Sequence, residues 1–172
     1  MEIIIAPDAR LRVKTKIVNK LTPSLKAIIK EMVKLSKTFI DPEGVGLAST
    51  QIGNSEQYFV MKLSDGTFKA VFNPKILSYG KKTKVFFEGC LSIPKYYGEV
   101  KRPTNIRVIY MDKDGTQVKE SLKGVSAWIF QHEYDHLQGK LFMDLLLAQK
   151  GKLFKVVGKD RAGADIFQEV GL

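Results

Sequence analysis

The sequence contains little cysteine, little histidine and no long apolar segment. Cys90 is its single cysteine, so no disulfide can form within the chain, and a reducing compartment is the simplest expectation. No apolar run approaches the roughly 18 residues of a membrane span. The first residues show neither a signal-peptide nor a transit-peptide pattern. We therefore expect no membrane interaction, and a cytoplasmic protein or an organellar one whose transit peptide has been removed.

The composition excludes a disordered chain, a collagen-like chain and a small fold stabilised by disulfide bonds. Of the 172 residues, 44% are hydrophobic and 27% charged, which is ordinary for a globular protein with its own core. We expect residues 1–172 to form one domain. The formal net charge is +10, and much of the basic surplus falls within residues 1–40. Such a surplus favours an anionic partner through long-range attraction, although a merely solvated basic surface is the simpler interpretation.

The pattern of apolar residues predicts an α+β fold. The apolar run at residues 3–6 is a candidate for an N-terminal strand. Thr22-Pro23 is typical of a helix start, and the apolar residues that follow recur every three or four positions beside a stripe of exposed lysines. Short β segments are predicted at residues 58–61, 68–72, 84–87, 106–110 and 117–122, with a hairpin turn at Asp114-Gly115 between the last two. A second helix is predicted from Gly124 to Gly139. We expect antiparallel β-sheets packed around this central helix, with the first helix at the N-terminal side. For residues 146–172 we expect one short basic helix and a loosely held tail.

The two histidines stand four residues apart on the predicted second helix. His132 and His136 then project from the same face and can reach one metal ion. Glu133 follows His132 directly, which is the arrangement of a His-Glu-x-x-His metal site with an adjacent general base. The simpler interpretation is a pair of half-buried, hydrogen-bonded histidines. The presence of Glu133 favours metal catalysis.

A catalytic metal of this kind needs a third protein ligand and an open position. Cys90 is the natural candidate, because a glycine precedes it at the end of a β segment, although a lone cysteine is more often an inert buried residue. A Gly-rich stretch at residues 44–51 lacks the ending of a phosphate-binding loop, and its two glycines suit a backbone that passes close to a ligand.

These three stretches resemble, in order and separation, the signature motifs of peptide deformylases. They are GVGLASTQ at 44–51, EGCLS at 88–92 and QHEYDHL at 131–137. The resemblance covers about residues 2–147, and residues 146–172 match poorly. Ser49 replaces an alanine that is usual in the family, and Trp128 is bulkier than the expected aliphatic residue.

The resemblance implies a metal-dependent amidohydrolase. Cys90, His132 and His136 would bind one divalent ion, and Glu133 would act as general acid and base. The Gln51 side chain and the Leu91 backbone N–H would stabilise the oxyanion. The substrate would be the N-terminal formylmethionine of new polypeptides, and formate would be released. The family implies Fe(II) as the native ion, with zinc, nickel or cobalt able to replace it in purified protein.

Further roles follow more loosely from the resemblance. Substrate contacts are expected at six positions, through side chains for the methionine pocket and through backbone for peptide pairing: Val45, Gly46, Gly98, Val125, Trp128 and Ile129. A buried charge network around the site is expected from Glu43, Arg102 and Asp135. The basic surface would suit ribosome association without recognition of a specific nucleic-acid sequence.

Two other functions remain open from the sequence. A zinc endopeptidase would use the same helix but needs a histidine or carboxylate as third ligand. A ribosome- or RNA-binding protein with a structural metal would fit the positive charge, but such a site does not require Glu133.

Overall fold

The chain forms two antiparallel sheets and three α-helices in the computed structural model, which describes residues 1–171. The helices are α1 (Pro23–Thr38), α2 (Gly124–Leu137) and α3 (Phe142–Gln149). The strands are β1 (Gly46–Ala48), β2 (Tyr58–Lys62), β3 (Phe68–Tyr79), β4 (Thr83–Cys90), β5 (Ile93–Pro103), β6 (Asn105–Met111), β7 (Gln117–Lys123), β8 (Leu153–Lys159) and β9 (Asp165–Val170). The expected α+β class, with sheets around a central helix and a helix near the N-terminus, is confirmed.

The larger sheet has the strand order β1-β2-β3-β6-β7 and is covered on both faces. Successive residues of β2 point to opposite faces. Phe59 and Met61 join the core that includes α2, whereas Tyr58 and Val60 pack with α1. Because both faces of β2 are buried over residues 58–61, all four of these residues are apolar. The sheet therefore holds α2 on one face and α1 on the other.

The smaller sheet has the order β4-β5-β8-β9. Strands β4 and β5 form a long hairpin that runs from Thr83↔Pro103 to Cys90↔Ile93. Helix α3 packs on this sheet through Phe142 and Leu146, which share a core with Cys90 and Val100. The carboxyl end of β4 thereby delivers Cys90 to the interior, toward α2.

The first helix follows the sequence prediction. The Thr22 hydroxyl caps α1 by accepting a hydrogen bond from Leu25 N at 3.1 Å, and Pro23 occupies the first turn. Leu25 and Met32 are buried, and the lysine stripe faces outward: Lys26, Lys30, Lys34 and Lys37. No helix within residues 1–171 is long and apolar enough to cross a membrane.

Two predictions about the ends of the chain are wrong. The apolar run at residues 3–6 is not a strand; it is tied by single backbone hydrogen bonds from Ile4 N to Gln51 O and from Ala6 N to Ser92 O. The expected basic helix and loose tail are replaced by α3, which contains no lysine or arginine, and by the hairpin of β8 and β9. The hairpin forms because β8 finds a partner in β5, a distant pairing that local sequence does not reveal.

Candidate active site

Helix α2 carries polar side chains that are buried. Gln131, His132, Glu133 and His136 are each less than 9% exposed. Buried polar groups are costly unless they find partners, so a cluster of them on one helix marks a site that the fold maintains against this cost. The predicted spacing holds: the ring centroids of the two histidines are 5.1 Å apart.

Cys90 joins the two histidines at the end of β4. One ligand atom from each of Cys90, His132 and His136 lies within 4.8 Å of the others. Cys90 Sγ is 3.3 Å from His136 Nε2. One thiolate and two imidazole nitrogens are a donor set that suits zinc and iron. The three residues therefore fit a single transition-metal ion.

Glu88 fixes the orientation of the first imidazole. Glu88 Oε2 lies 2.9 Å from His132 Nδ1, which leaves Nε2 of that ring to face the ligand cluster. A carboxylate in this position sets the tautomer and raises the basicity of a metal-binding histidine.

The charge of Glu88 is balanced by Arg102. The guanidinium donates to Glu88 through Nε and through Nη2, the latter at 3.0 Å, and its Nη1 donates to Asp135 Oδ2 at 2.9 Å. Arg102 and Glu88 are buried, so removing either partner would leave an unpaired buried charge. The expected network of Arg102 and Asp135 is thus present, with Glu88 as the acid that connects it to His132.

The electrostatics of the cluster favour one positive charge at its centre. Burial alone would lower the pKa of His132, but hydrogen bonds with Cys90 and Glu88 raise it well above its ordinary value. Burial and the neighbouring His132 lower the pKa of His136 well below its usual range. Burial opposes ionisation of Glu88, yet hydrogen bonds from His132 and Arg102 lower its pKa to about 2. A cation between the sulfur and the imidazoles would supply the positive charge that these groups attract.

Glu133 lies beside the ligand cluster, against the backbone of Gly46. A Cβ at position 46 would overlap the Glu133 carboxylate, so this close approach requires glycine. Among residues 1–171, Glu133 Oε2 has no hydrogen-bond partner although it is buried. Burial raises the pKa of Glu133 to about 7. A carboxyl group with such a pKa can both accept and donate a proton near neutral pH.

The Gln51 side chain points its amide nitrogen toward Cys90. Its Oε1 accepts a hydrogen bond from Ala48 N at 2.9 Å, and its Nε2 lies 3.1 Å from Ser92 Oγ and 3.6 Å from Cys90 Sγ. The bond from Ala48 fixes which end of the amide faces the cluster. Gln51 thereby holds an N–H donor next to the ligands, in reach of an oxygen that develops charge there.

A cavity of about 310 Å³ opens onto Glu133 and onto two of the three candidate ligands, Cys90 and His132. Most of the predicted substrate and oxyanion residues line it: Val45, Gly46, Gln51, Leu91, Val125, Trp128 and Ile129. Its remaining walls include Asp41, Pro42, Phe87, Gly89 and Tyr97. Trp128 stacks on Phe86 with ring centroids 5.5 Å apart, so its bulk forms a flat side of the cavity. Apolar walls with a few convergent polar groups are typical of a small-ligand site.

Two of the predicted positions are wrong. Gly98 pairs with Glu88 on one side and with Leu153 on the other, so its backbone cannot accept a peptide as an added strand. Glu43 does not join the Arg102 network; it forms an ion pair with Lys62 and lines the mouth of the cavity. In both cases a partner on another strand, Leu153 for Gly98 and Lys62 for Glu43, decides the outcome.

Glu88 and the aromatic wall of Phe87 and Tyr97 are absent from the residues that the sequence predicted for the site. A lone acid at residue 88 in an apolar β segment is the signal that could have revealed Glu88, since such an acid is buried only with a partner. Phe87 and Tyr97 gave no comparable signal, because aromatic residues in strands usually pack in cores. The Ser49 hydroxyl, a departure from the family pattern, is buried and donates to Glu56 O.

Three convergent ligands beside a carboxylate and an amide donor define a metal-dependent hydrolase, since one group can activate water while another stabilises an oxyanion. The family model described as polypeptide deformylase matches residues 1–152. The chain belongs to the polypeptide deformylase family.

Relatives and solved structures agree with this assignment. The chain is 40% identical over 153 residues to peptide deformylase of Bradyrhizobium sp., covering 84% of this chain and 86% of the relative. The crystal structure of peptide deformylase from Thermotoga maritima is similar with a TM-score of 0.79 and 40% identity, over 84% of this chain and 95% of that chain. Arabidopsis thaliana peptide deformylase 1B, in complex with an inhibitor, gives a TM-score of 0.77 at 36% identity, over 86% and 85% of the two chains.

Proposed function

We propose that this chain removes the formyl group from the N-terminal formylmethionine of newly made polypeptides, and that its own residues divide the work as follows. The observation that carries the proposal is the convergence of Cys90, His132 and His136 within 4.8 Å at a cavity that also contains Glu133 and Gln51. The endopeptidase alternative lacks support, because the third donor in this cluster is a thiol. The RNA-binding alternative does not explain a buried carboxylate beside the ligands.

Cys90, His132 and His136 would hold one divalent ion, and we propose Fe(II) as the native one. When bound, such an ion supplies an activated water and polarises the formyl oxygen. Zinc, nickel and cobalt fit the same donors and would replace iron in purified protein. Metal analysis after anaerobic purification, with iron rather than zinc expected in stoichiometric amount, tests this identity.

Glu133 would carry the proton through the reaction. It takes a proton from the water that attacks the formyl carbon, and it delivers that proton to the methionine nitrogen as the carbon–nitrogen bond breaks. The products are formate and a free amino terminus. A pKa of about 7 suits both transfers, because the group must bind the proton and then release it.

Gln51 Nε2 and the backbone N–H of Leu91 would stabilise the oxygen that becomes negative when water adds to the formyl carbon. Both residues line the cavity next to Cys90. A donor that is already in position costs no reorganisation during the reaction, and losing one such donor typically lowers the rate about 10²- to 10³-fold.

The methionine side chain would occupy the apolar part of the cavity between Val45, Trp128 and Ile129, with Val125 at its mouth. The peptide backbone would pair with Gly46 at the edge of β1. Val45 O accepts a hydrogen bond from Lys62 N of β2 at 2.7 Å, so the N–H and C=O of Gly46 point the other way, toward the cavity. An extended peptide could then extend the larger sheet.

Formate release from a formyl-Met tripeptide tests the proposal. We expect turnover by the metal-loaded protein, loss of turnover with a chelator, and recovery when Fe(II) is added back without oxygen. The Cys90→Ser variant should lose bound metal and turnover together. A protein that holds its metal at Cys90 but releases no formate from any formyl-Met peptide would overturn the proposed function.

We also propose that the enzyme works beside ribosomes, where formylated chains emerge, in the cytoplasm or in an organelle that retains bacterial-type translation. The net charge of +10 and the exposed lysines of α1 support attraction to ribosomal RNA. Co-sedimentation with ribosomes should weaken steeply as salt is raised from 50 to 200 mM, as expected for phosphate contacts. Binding that does not respond to salt would argue against this proposal.

A further inference from the structure

Four aromatic rings form one cluster where the C-terminal hairpin meets β4 and β5. We call Phe87, Tyr97, Phe154 and Phe167 the aromatic cluster. Phe87 and Tyr97 are stacked with centroids 5.4 Å apart and planes at 11°. Phe167 of β9 meets both rings edge-on, at 5.2 Å from Phe87 and 5.3 Å from Tyr97. Phe154 of β8 lies 5.5 Å from Phe87. Edge-to-face and stacked pairs at these distances are favourable.

Two members of the aromatic cluster belong to the wall of the cavity. Phe87 and Tyr97 line it, together with Gly89. A Cβ on Gly89 would come within 2.6 Å of the Tyr97 ring, so this ring lies directly over the residue that precedes Cys90. Phe87 is 44% exposed and presents its free part to solvent at the cavity. Phe154 and Phe167 support these two rings from the hairpin side.

A polar tether joins the same hairpin to the loop at Asp41. Tyr97 Oη donates to Asp41 Oδ1 at 2.8 Å. Lys159 Nζ, near the turn of the hairpin, lies 3.4 Å from Asp41 Oδ2 and 2.8 Å from Asp165 Oδ1. Asp41 and Pro42 line the cavity as well. The hairpin thus contacts both parts of this wall, the rings and the Asp41 loop.

The hairpin begins where the family match ends. The match covers residues 1–152, and β8 starts at Leu153. Its register places Phe154 opposite Tyr97, which brings the aromatic cluster together. We infer that the C-terminal hairpin, residues 153–170, is a positioning element of the substrate cleft. It holds Phe87 and Tyr97 as an apolar wall for the side chain that follows methionine in the peptide, and it fixes the Asp41 loop beside that wall. This inference rests on the proposed function.

The hairpin contributes no metal ligand and no proton carrier, which gives the inference a distinct kinetic signature. Formyl transfer to water depends on Glu133 and the ligands, none of which belongs to the hairpin. Loss of hairpin support should therefore raise KM for peptides with a large residue after methionine and leave kcat nearly unchanged. A purely structural role predicts equal losses for every substrate.

Phe167→Ala and Ile166→Ala form a matched pair of variants. The two residues are neighbours on β9 with similar exposure, 41% and 44%, but only Phe167 belongs to the aromatic cluster. With metal-loaded protein, we expect Phe167→Ala to raise KM for formyl-Met-Phe-Ser about 3- to 10-fold, the effect of losing two edge-on ring contacts. KM for formyl-Met-Gly-Ser and kcat for both peptides should change less than twofold. Ile166→Ala should behave as wild type, and Phe167→Tyr should restore the wild-type values.

Lys159→Gln provides an independent test at an exposed position, where misfolding is not expected. It should raise KM for the Phe peptide about twofold and increase backbone hydrogen exchange at residues 39–43. Wild-type formate release checks the proposed function separately. If wild type is active and neither Phe167→Ala nor Lys159→Gln alters the ratio of the two KM values, the hairpin does not position the cleft. Equal loss with both peptides, or in kcat alone, would also overturn the inference.

Discussion

Helices α1 and α2 differ in where their polar residues point. In α1, the lysines face outward and the apolar residues face the sheet, so the charged side chains of the helix are solvated. In α2, Gln131, His132, Glu133 and His136 are buried. Gln131 donates to the backbone carbonyls of Pro103 and Ala127, and the other three side chains belong to the candidate metal site. A helix of the first kind needs no function to explain it. In a helix such as α2, the burial of polar side chains lowers the stability of the fold, and a functional site explains why these side chains are there.

The comparison also separates two kinds of ion pair. Lys34 and Glu31 on α1 form an exposed pair, of the type that contributes little to stability. Glu88 and Arg102, which support α2, form a buried pair, and loss of either partner would leave a charge without solvent. Charge changes should therefore have large effects around α2 and small effects on α1.

The largest effect should come from Glu133→Gln. The amide cannot take a proton from water, so we expect kcat to fall about 10²- to 10⁴-fold, the usual contribution of a general acid–base group. Metal content should stay at the wild-type level, because Glu133 is not one of the three ligands. Glu43→Gln, which changes another acid at the same cavity, is the control and should alter kcat/KM less than threefold. Wild-type activity in the Glu133→Gln variant would contradict the catalytic role that we propose for Glu133 on α2.

Glu88→Gln should come next. The carboxylate that orients His132 becomes neutral, and we expect metal affinity to fall about 10- to 100-fold, measured by competition with a chromogenic chelator. Glu31→Gln on α1 is the matched control, with unchanged affinity expected. Equal affinities in the two variants would show that the buried network does not tune the site.

Thr22→Ala should affect only stability. It removes the cap of α1, so the free energy of unfolding should fall by about 1 kcal/mol, measured by denaturant titration. Thr22→Ser retains the hydroxyl and should stay near wild type. Formate release per folded molecule should not change in either variant, since α1 does not line the cavity; a loss of kcat would contradict the contrast between the helices.

The smallest effect should come from replacing Lys26 and Lys30 together with glutamine. Both side chains are exposed on α1, so the free energy of unfolding should change by less than about 0.5 kcal/mol, and kcat/KM for a tripeptide should be unchanged. Ribosome co-sedimentation at low salt should weaken if these lysines contact RNA phosphates. Unaltered co-sedimentation would place any ribosome contact elsewhere on the surface.

The sequence predicted those elements that are stabilised by interactions between residues close together in the chain. The Thr22 cap, the Asp114-Gly115 turn and the period of α2 act within a few residues, and each is present in the structure. Strand β5 escaped prediction because it contains glycine and two prolines and is stabilised by its partners β4 and β8. The C-terminal hairpin escaped for the same reason, since its pairing to β5 and its ring contacts are all distant in sequence.

The sequence by itself determined the chemistry of the site. Two histidines at helical spacing, a glutamate between them and a single cysteine indicate the candidate metal donors and the proposed proton carrier, because these roles depend on residue type and local spacing. Only the tertiary structure decided how the site is supported and shaped. It assigned Glu88 rather than Glu43 to the buried network, enclosed Gly98 between two strands, and placed Phe87 and Tyr97 in the cleft wall. Those outcomes depend on which distant strands pair, and pairing is set by the free energy of the whole fold rather than by any single segment.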